Sequence, residues 1–98
     1  MIARAERVAQ LRATLSLGVT AKQAGKILRA LEEEVLIPAG LYLDGGLTAP
    51  GDGLSPEIAG RLCRADGRDL SERDTKRVEA WLASTPQVGE FSMNPPAP

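Results

Sequence analysis

Ninety-eight residues with a net charge of −1, Lys plus Arg 12 against Asp plus Glu 13, provide for one small core and exclude a uniformly basic nucleic-acid coat or a polybasic membrane binder. With no histidine and a single cysteine, the commonest general base, the commonest metal ligand, an internal disulfide and a thiolate zinc site are all missing, so no enzyme, cofactor or metal is expected. No apolar run reaches the roughly 18 residues of a membrane span and no leader pattern is found, which leads to the expectation of a soluble, untargeted, cytoplasmic protein.

From Ile2 to Leu17 the apolar residues Ala5, Val8, Leu11 and Leu15 fall three or four apart, which predicts a helix that Gly18 closes. Thr20 followed by Gln23 has the capping-box pattern, so a second helix is predicted from Ala21, with Ala24, Ile27, Leu28, Leu31 and Val35 inside and Pro38 limiting its end. Lys22, Lys26 and Arg29 share its outer face. Glu32, Glu33 and Glu34 fall in its last turns, where the helix dipole disfavours negative charge, and helix stability supplies no reason for them.

Beyond Leu36 the period changes. Leu41-Tyr42-Leu43 and Leu47-Thr48 around Asp44-Gly45-Gly46 predict a short hairpin with an Asp-Gly turn. Ser55-Pro56-Glu57 then has the form of a third helix start, with Ile58, Leu62 and Cys63 as its narrow apolar edge and Asp66-Gly67 as its end. Ser71 with Asp74 opens a fourth, whose inner stripe is Val78, Trp81 and Leu82 and which stops at Pro86. The predicted fold is therefore mainly α: a small four-helix domain over residues 1–85 with a short wing-like β-hairpin between helices 2 and 3, followed by a flexible Pro-rich tail over 86–98. Phe91 and Met93 are the odd apolar pair in that tail, placed to dock on a groove of the chain itself or of a partner.

No phosphate loop, dinucleotide fingerprint or calcium loop survives a check of spacing, and Cys63, with no histidine to activate it, is read as a buried apolar thiol. Charge is distributed unevenly along the chain. Residues 1–31 carry Arg4, Arg7, Arg12, Lys22, Lys26 and Arg29 against Glu6 alone, whereas 32–60 carry Glu32, Glu33, Glu34, Asp44, Asp52 and Glu57 with no basic residue. A cationic block beside an anionic one either meets outside partners or pairs with itself, within a chain or between subunits.

The segment Leu11 to Leu31, LRATLSLGVTAKQAGKILRAL, resembles the helix-turn-helix of bacterial DNA-binding proteins, with Thr14, Gly18, Val19, Ala24 and Ile27 at the packing and turn positions. The continuation ILRALEEEVLI and LYLDGGLT is similar to the recognition helix and wing of winged-helix regulators, and VTAKQAGKI is similar to the early helices of histone-like nucleoid proteins. The resemblance covers residues 8–48. It implies a recognition helix over 21–35, with Thr20, Lys22, Gln23 and Lys26 at the major groove and Arg7, Arg12 and Arg29 on the phosphates.

Two functions are thus expected. One is a small DNA-binding regulator of helix-turn-helix type. The other is a non-enzymatic helical interaction module, an adaptor, assembly factor or inhibitor, that binds a protein through its charged helices, through Glu32, Glu33 and Glu34, or through Phe91 and Met93. Few aromatics and a thin core favour a homo-oligomer, such as a dimer, in both cases.

Overall fold

The computed structural model describes residues 8–48 and 55–94. Ala9, Leu11, Ala13 and Leu15 are buried while Gln10 and Arg12 between them are exposed, a period of two that only a strand satisfies, and β1 spans Ala9–Leu15. Helix α1 (Ala21–Leu31) follows and runs on through a π-helical segment (Glu32–Leu36) into a last turn, α2 (Ile37–Ala39), capped by Gly40 at φ 72°. Strands β2 (Leu41–Thr48) and β3 (Glu57–Arg64), helix α3 (Glu72–Ala83) and strand β4 (Val88–Asn94) complete the chain.

The strands form one antiparallel sheet in the order β2-β3-β1-β4. Each helical rod connects two strands that are separated by a third, and the β-α-β-β-α-β order gives the split β-α-β topology also called ferredoxin-like. Both rods lie on one face of the sheet. Ala24, Leu31 and Leu36 of the first and Val78 and Leu82 of the second close over Leu11, Leu15, Ile58, Leu62 and Leu41 in a single core. The opposite face carries Gln10, Arg12, Glu57, Arg61, Asp44 and Ser92 and is the open face, on which no helix of the described residues packs.

This overturns the four-helix, mainly α expectation: two helical rods and a four-stranded sheet make an α/β domain. The stretch predicted as the first helix contains β1, because Leu11 and Leu15 are four apart in either structure and the alternating small residues Ala9 and Ala13 complete the inner face of a strand. Gly18 does hold a left-handed turn, φ 95°, but after a strand. The predicted third helix is β3 for the same reason, with Ile58 and Leu62 inward and Gly60 between them. Asp44-Gly45-Gly46 lies inside β2 and makes no turn. Gly45 stands opposite Gly60 on β3, so the glycines serve a close approach of two backbones. Residues 88–94, within the expected tail, form β4 on the edge of the sheet.

Two helix starts are as the sequence predicts. Thr20 Oγ1 accepts from the Gln23 N–H at 3.1 Å and the Thr20 N–H donates to Gln23 Oε1 at 2.9 Å. Ser71 and Asp74 form the equivalent box on α3.

Pro38 does not end the first rod. The π-helical turn precedes it, with the Ile37 N–H bonded to the Glu32 carbonyl, and loosens the ladder where the proline ring would strike the carbonyl four residues back. The wider turn also sets the inward residues: Leu31 and Leu36, five apart, are both fully buried, whereas Ile37 is 68% exposed. No helix of the described residues is long and apolar enough to cross a membrane.

Candidate functional site

The functional candidates named from sequence fall on different surfaces. Arg12 points to the open face of the sheet, away from the helices, and its Nε pairs with Glu57 Oε1 at 2.9 Å. Thr20 and Gln23 spend their side chains on each other's backbone at the start of α1. Phe91 and Met93 lie on the inward side of β4, partly buried against the core, so the groove they dock on belongs to the chain itself. Glu34 accepts a long hydrogen bond, 3.4 Å, from the indole Nε1 of Trp81 on α3. Arg7 lies outside the described residues.

What the structure brings together is a single outer stripe on the first rod. Lys22, Lys26, Arg29, Glu33 and Ile37 are spaced by four, three, four and four residues, opposite the buried Ala24, Leu31 and Val35, and all five are exposed. Gly25 and Glu32 flank them, also exposed. Among the described residues, Lys22, Lys26, Arg29, Glu32 and Glu33 form no ion pair.

Part of this charge pattern works against the helix that carries it. Lys22, in the first turn of α1, opposes the helix dipole, at about 0.3–1 kcal/mol. Lys22 and Lys26 repel at the i,i+4 spacing, while Arg29 attracts Glu33 at the same spacing, though in the weaker order for such a pair. Gly25 adds about 1 kcal/mol relative to alanine in a helix interior. An added Cβ there meets nothing within 4 Å, so packing inside the chain does not require the glycine. Lys22, Lys26 and Gly25 therefore lower the stability of the helix that carries them, and no contact within the described residues offsets this.

Arg73, Arg77 and Glu79 on α3 and Glu90 on β4 are likewise exposed and form no ion pair among the described residues, whereas other charged groups are engaged structurally. On the open face Arg61 and Asp44 stand directly across β3 and β2 and pair, and this hydrogen bond raises the arginine pKa above its ordinary value. At the junction of β3 and α3, Arg64 forks onto Asp66 through Nε and Nη2 at 3.2 and 3.1 Å and reaches Asp74 Oδ2 through Nη1 at 3.0 Å. The Arg64 hydrogen bonds, with that from the Arg68 backbone N–H, lower the Asp66 pKa from 3.8 to about 2. Burial pushes the Asp74 carboxyl up, but hydrogen bonds from Ser71 and Arg64 outweigh it and hold the group below its ordinary value.

A shallow depression of about 250 Å³ on the open face is lined by Gln10, Arg12, Ala59, Gly60, Ser92 and Asn94 among others. It gathers no nucleophile with a base. Among the described residues no group of three or more His, Cys, Asp or Glu side chains could hold a metal ion.

Sequence reading missed Gly25, Leu17 and Ile37 as surface features. The signal available was the glycine in the middle of a helical pattern, and for Ile37 the lack of a place on the inner stripe of Ala24, Leu31 and Val35. No family model, curated protein or solved structure matches this chain.

Proposed function

We propose that this protein is a non-enzymatic protein-interaction module that docks a partner on the outer stripe of α1 and its π-helical extension. The observation that carries the reading is the exposed series Lys22, Lys26, Arg29, Glu32, Glu33, without ion pairs among the described residues, on a helix whose other side packs on the core. Charges of both signs in fixed order select a partner of opposite pattern and set its direction, which is how charged interfaces gain specificity. The sheet and α3 serve as the scaffold. The test is affinity capture with the purified protein after nuclease treatment, comparing wild type, Lys26→Glu and Arg12→Glu. A bound protein that is lost with Lys26→Glu and kept with Arg12→Glu supports the reading, and one unaffected by either change removes α1 from it.

Nucleic acid is the second reading, favoured by the same three cations, which have no ion-pair partner among the described residues. Opposed to it are Glu32 and Glu33 on the same stripe, which phosphate would repel, and the engagement of Arg12 by Glu57 on the far side of the sheet. In this reading duplex DNA binds, binding falls steeply with salt, and Lys26→Glu abolishes it with helicity unchanged.

A further inference from the structure

This inference rests on α1 being a docking face and names the partner. We infer that the partner is a second copy of this chain, its α1 laid antiparallel against the first about a two-fold axis beside Arg29. The stripe is cationic at Lys22, Lys26 and Arg29 and anionic at Glu32 and Glu33. Such a stripe complements itself only when reversed. At the helical rise of about 1.5 Å per residue, an axis beside Arg29 sets Lys26 of each copy opposite Glu32 and Glu33 of the other, and the symmetry makes the contact twice. The two copies of Arg29 meet at the axis, and each is flanked by Glu32 and Glu33 of both copies, which offset their mutual repulsion. Parallel pairing sets like charge against like and is repelled.

Two further observations agree with this arrangement. Gly25 shares the stripe and leaves a notch with open space above it, which a facing helix at close approach can use and the monomer does not. Leu17 and Ile37, 78% and 68% exposed, are the most exposed of the large hydrophobic residues described, and they stand just ahead of α1 and at the far end of the rod. Reversal brings Ile37 of one copy towards Leu17 of the other, so each end of the charged centre gains an apolar contact. One helix face is a small contact, and the dimer is expected to be weak, with a Kd of roughly micromolar or above.

The test is sedimentation equilibrium on the full chain with two charge-reversed variants: Lys22→Glu/Lys26→Glu/Arg29→Glu, whose stripe is then all acidic, and Glu32→Lys/Glu33→Lys, whose stripe is all basic. Each alone is expected to lose self-association by about 100-fold, and an equimolar mixture to recover a heterodimer at least as tight as the wild type. Gly25→Gln keeps the fold, since the added side chain has open space, and is expected to weaken the dimer by about 10-fold or more. Circular dichroism of each variant reports whether α1 is retained.

A wild-type chain that stays monomeric at about 1 mM overturns the inference, as do variants that still dimerise alone, or a mixture that stays monomeric with both components folded. A monomeric wild type that nevertheless captures another protein through Lys26 overturns the self-pairing and leaves the docking face standing. Captured protein that is indifferent to Lys26 overturns both.

Discussion

Gly45 on β2 and Gly60 on β3 stand directly opposite each other with no room for a side chain on either: a Cβ on Gly60 would lie 2.7 Å from the Asp44 carbonyl oxygen and 2.8 Å from the Gly45 Cα. Backbone atoms cannot move aside as a flexible side chain can. Gly60→Ala is therefore expected to lower stability by more than about 2 kcal/mol in urea unfolding, whereas Gly46→Ala, where an added Cβ meets nothing within 4 Å, changes it by less than about 0.5 kcal/mol. Equal effects at the two positions would show that β2 and β3 pair in another register.

The π-helical turn makes a sharp prediction at neighbouring residues. Leu36 is 1% exposed and Ile37 is 68% exposed, although they are adjacent and of the same size. Leu36→Ala is expected to cost about 2–4 kcal/mol through the cavity it leaves, and Ile37→Ala under about 0.5 kcal/mol at dilution where the chain is monomeric. A regular α-helix through this segment would alter that contrast, so the pair of unfolding curves reads the turn directly.

Acid sensitivity follows from the clamp between β3 and α3. Asp66 and Asp74 both have folded pKa values below their ordinary ones, so the unfolded chain takes up protons first as pH falls. The Asp66 contribution is present above the unfolded value of about 4 and is lost progressively as pH falls from about 4 through about 2, and that of Asp74 is lost in the same direction. Thermal unfolding should show the midpoint falling through that window. Arg64→Ala is expected to unfold at lower temperature at pH 7 and to approach the wild type as pH falls towards 2, since Asp66 is then losing the charge that Arg64 holds. A pH-independent gap would mean that the arginine acts through packing alone.

Gly25 separates the stability of the helix from its use. Gly25→Ala is expected to raise monomer stability by about 0.5–1 kcal/mol, because alanine removes backbone freedom from the unfolded chain and meets no neighbour within 4 Å. The check is urea unfolding at a concentration well below any association. Destabilisation instead would place a contact above Gly25 in the free chain.

Helix starts were legible in the sequence because their signals are local and chemical. Thr20 with Gln23, and Ser71 with Asp74, each need only a hydroxyl and an acceptor three residues apart, and both capping boxes form. The strands were not legible, for reasons visible in β1 and β3. Leu11 and Leu15, and Ile58 and Leu62, are four residues apart, a spacing shared by one helical turn and two strand pleats. Alanine decided β1: Ala9 and Ala13 are fully buried, yet alanine is also the strongest helix former. Asp44-Gly45-Gly46 has the composition of a turn, and its strand role depends on Gly60, distant in sequence.

Of the candidate site, the sequence shows Lys22, Lys26, Arg29, Glu32 and Glu33 as part of a cationic block and of an acidic one. That they share one outer stripe depends on a single rod running past Leu31 through the π-helical turn. Arg12 could be separated from them only once β1 was known to be a strand with its even-numbered residues on the open face. The helix-turn-helix resemblance drew on the same ambiguity, since Leu11–Leu15, its first-helix segment, lies in β1.

The most direct measurement is an NMR dilution series on the labelled full chain, following backbone amides from about 1 mM down to about 10 μM. Concentration-dependent shifts are expected at Leu17, Lys22, Gly25, Lys26, Arg29, Glu33 and Ile37, with β4 and the open-face residues Gln10, Arg12 and Ser92 unchanged. Shifts confined to β4 or the open face, or none over the whole range, would contradict self-pairing through α1.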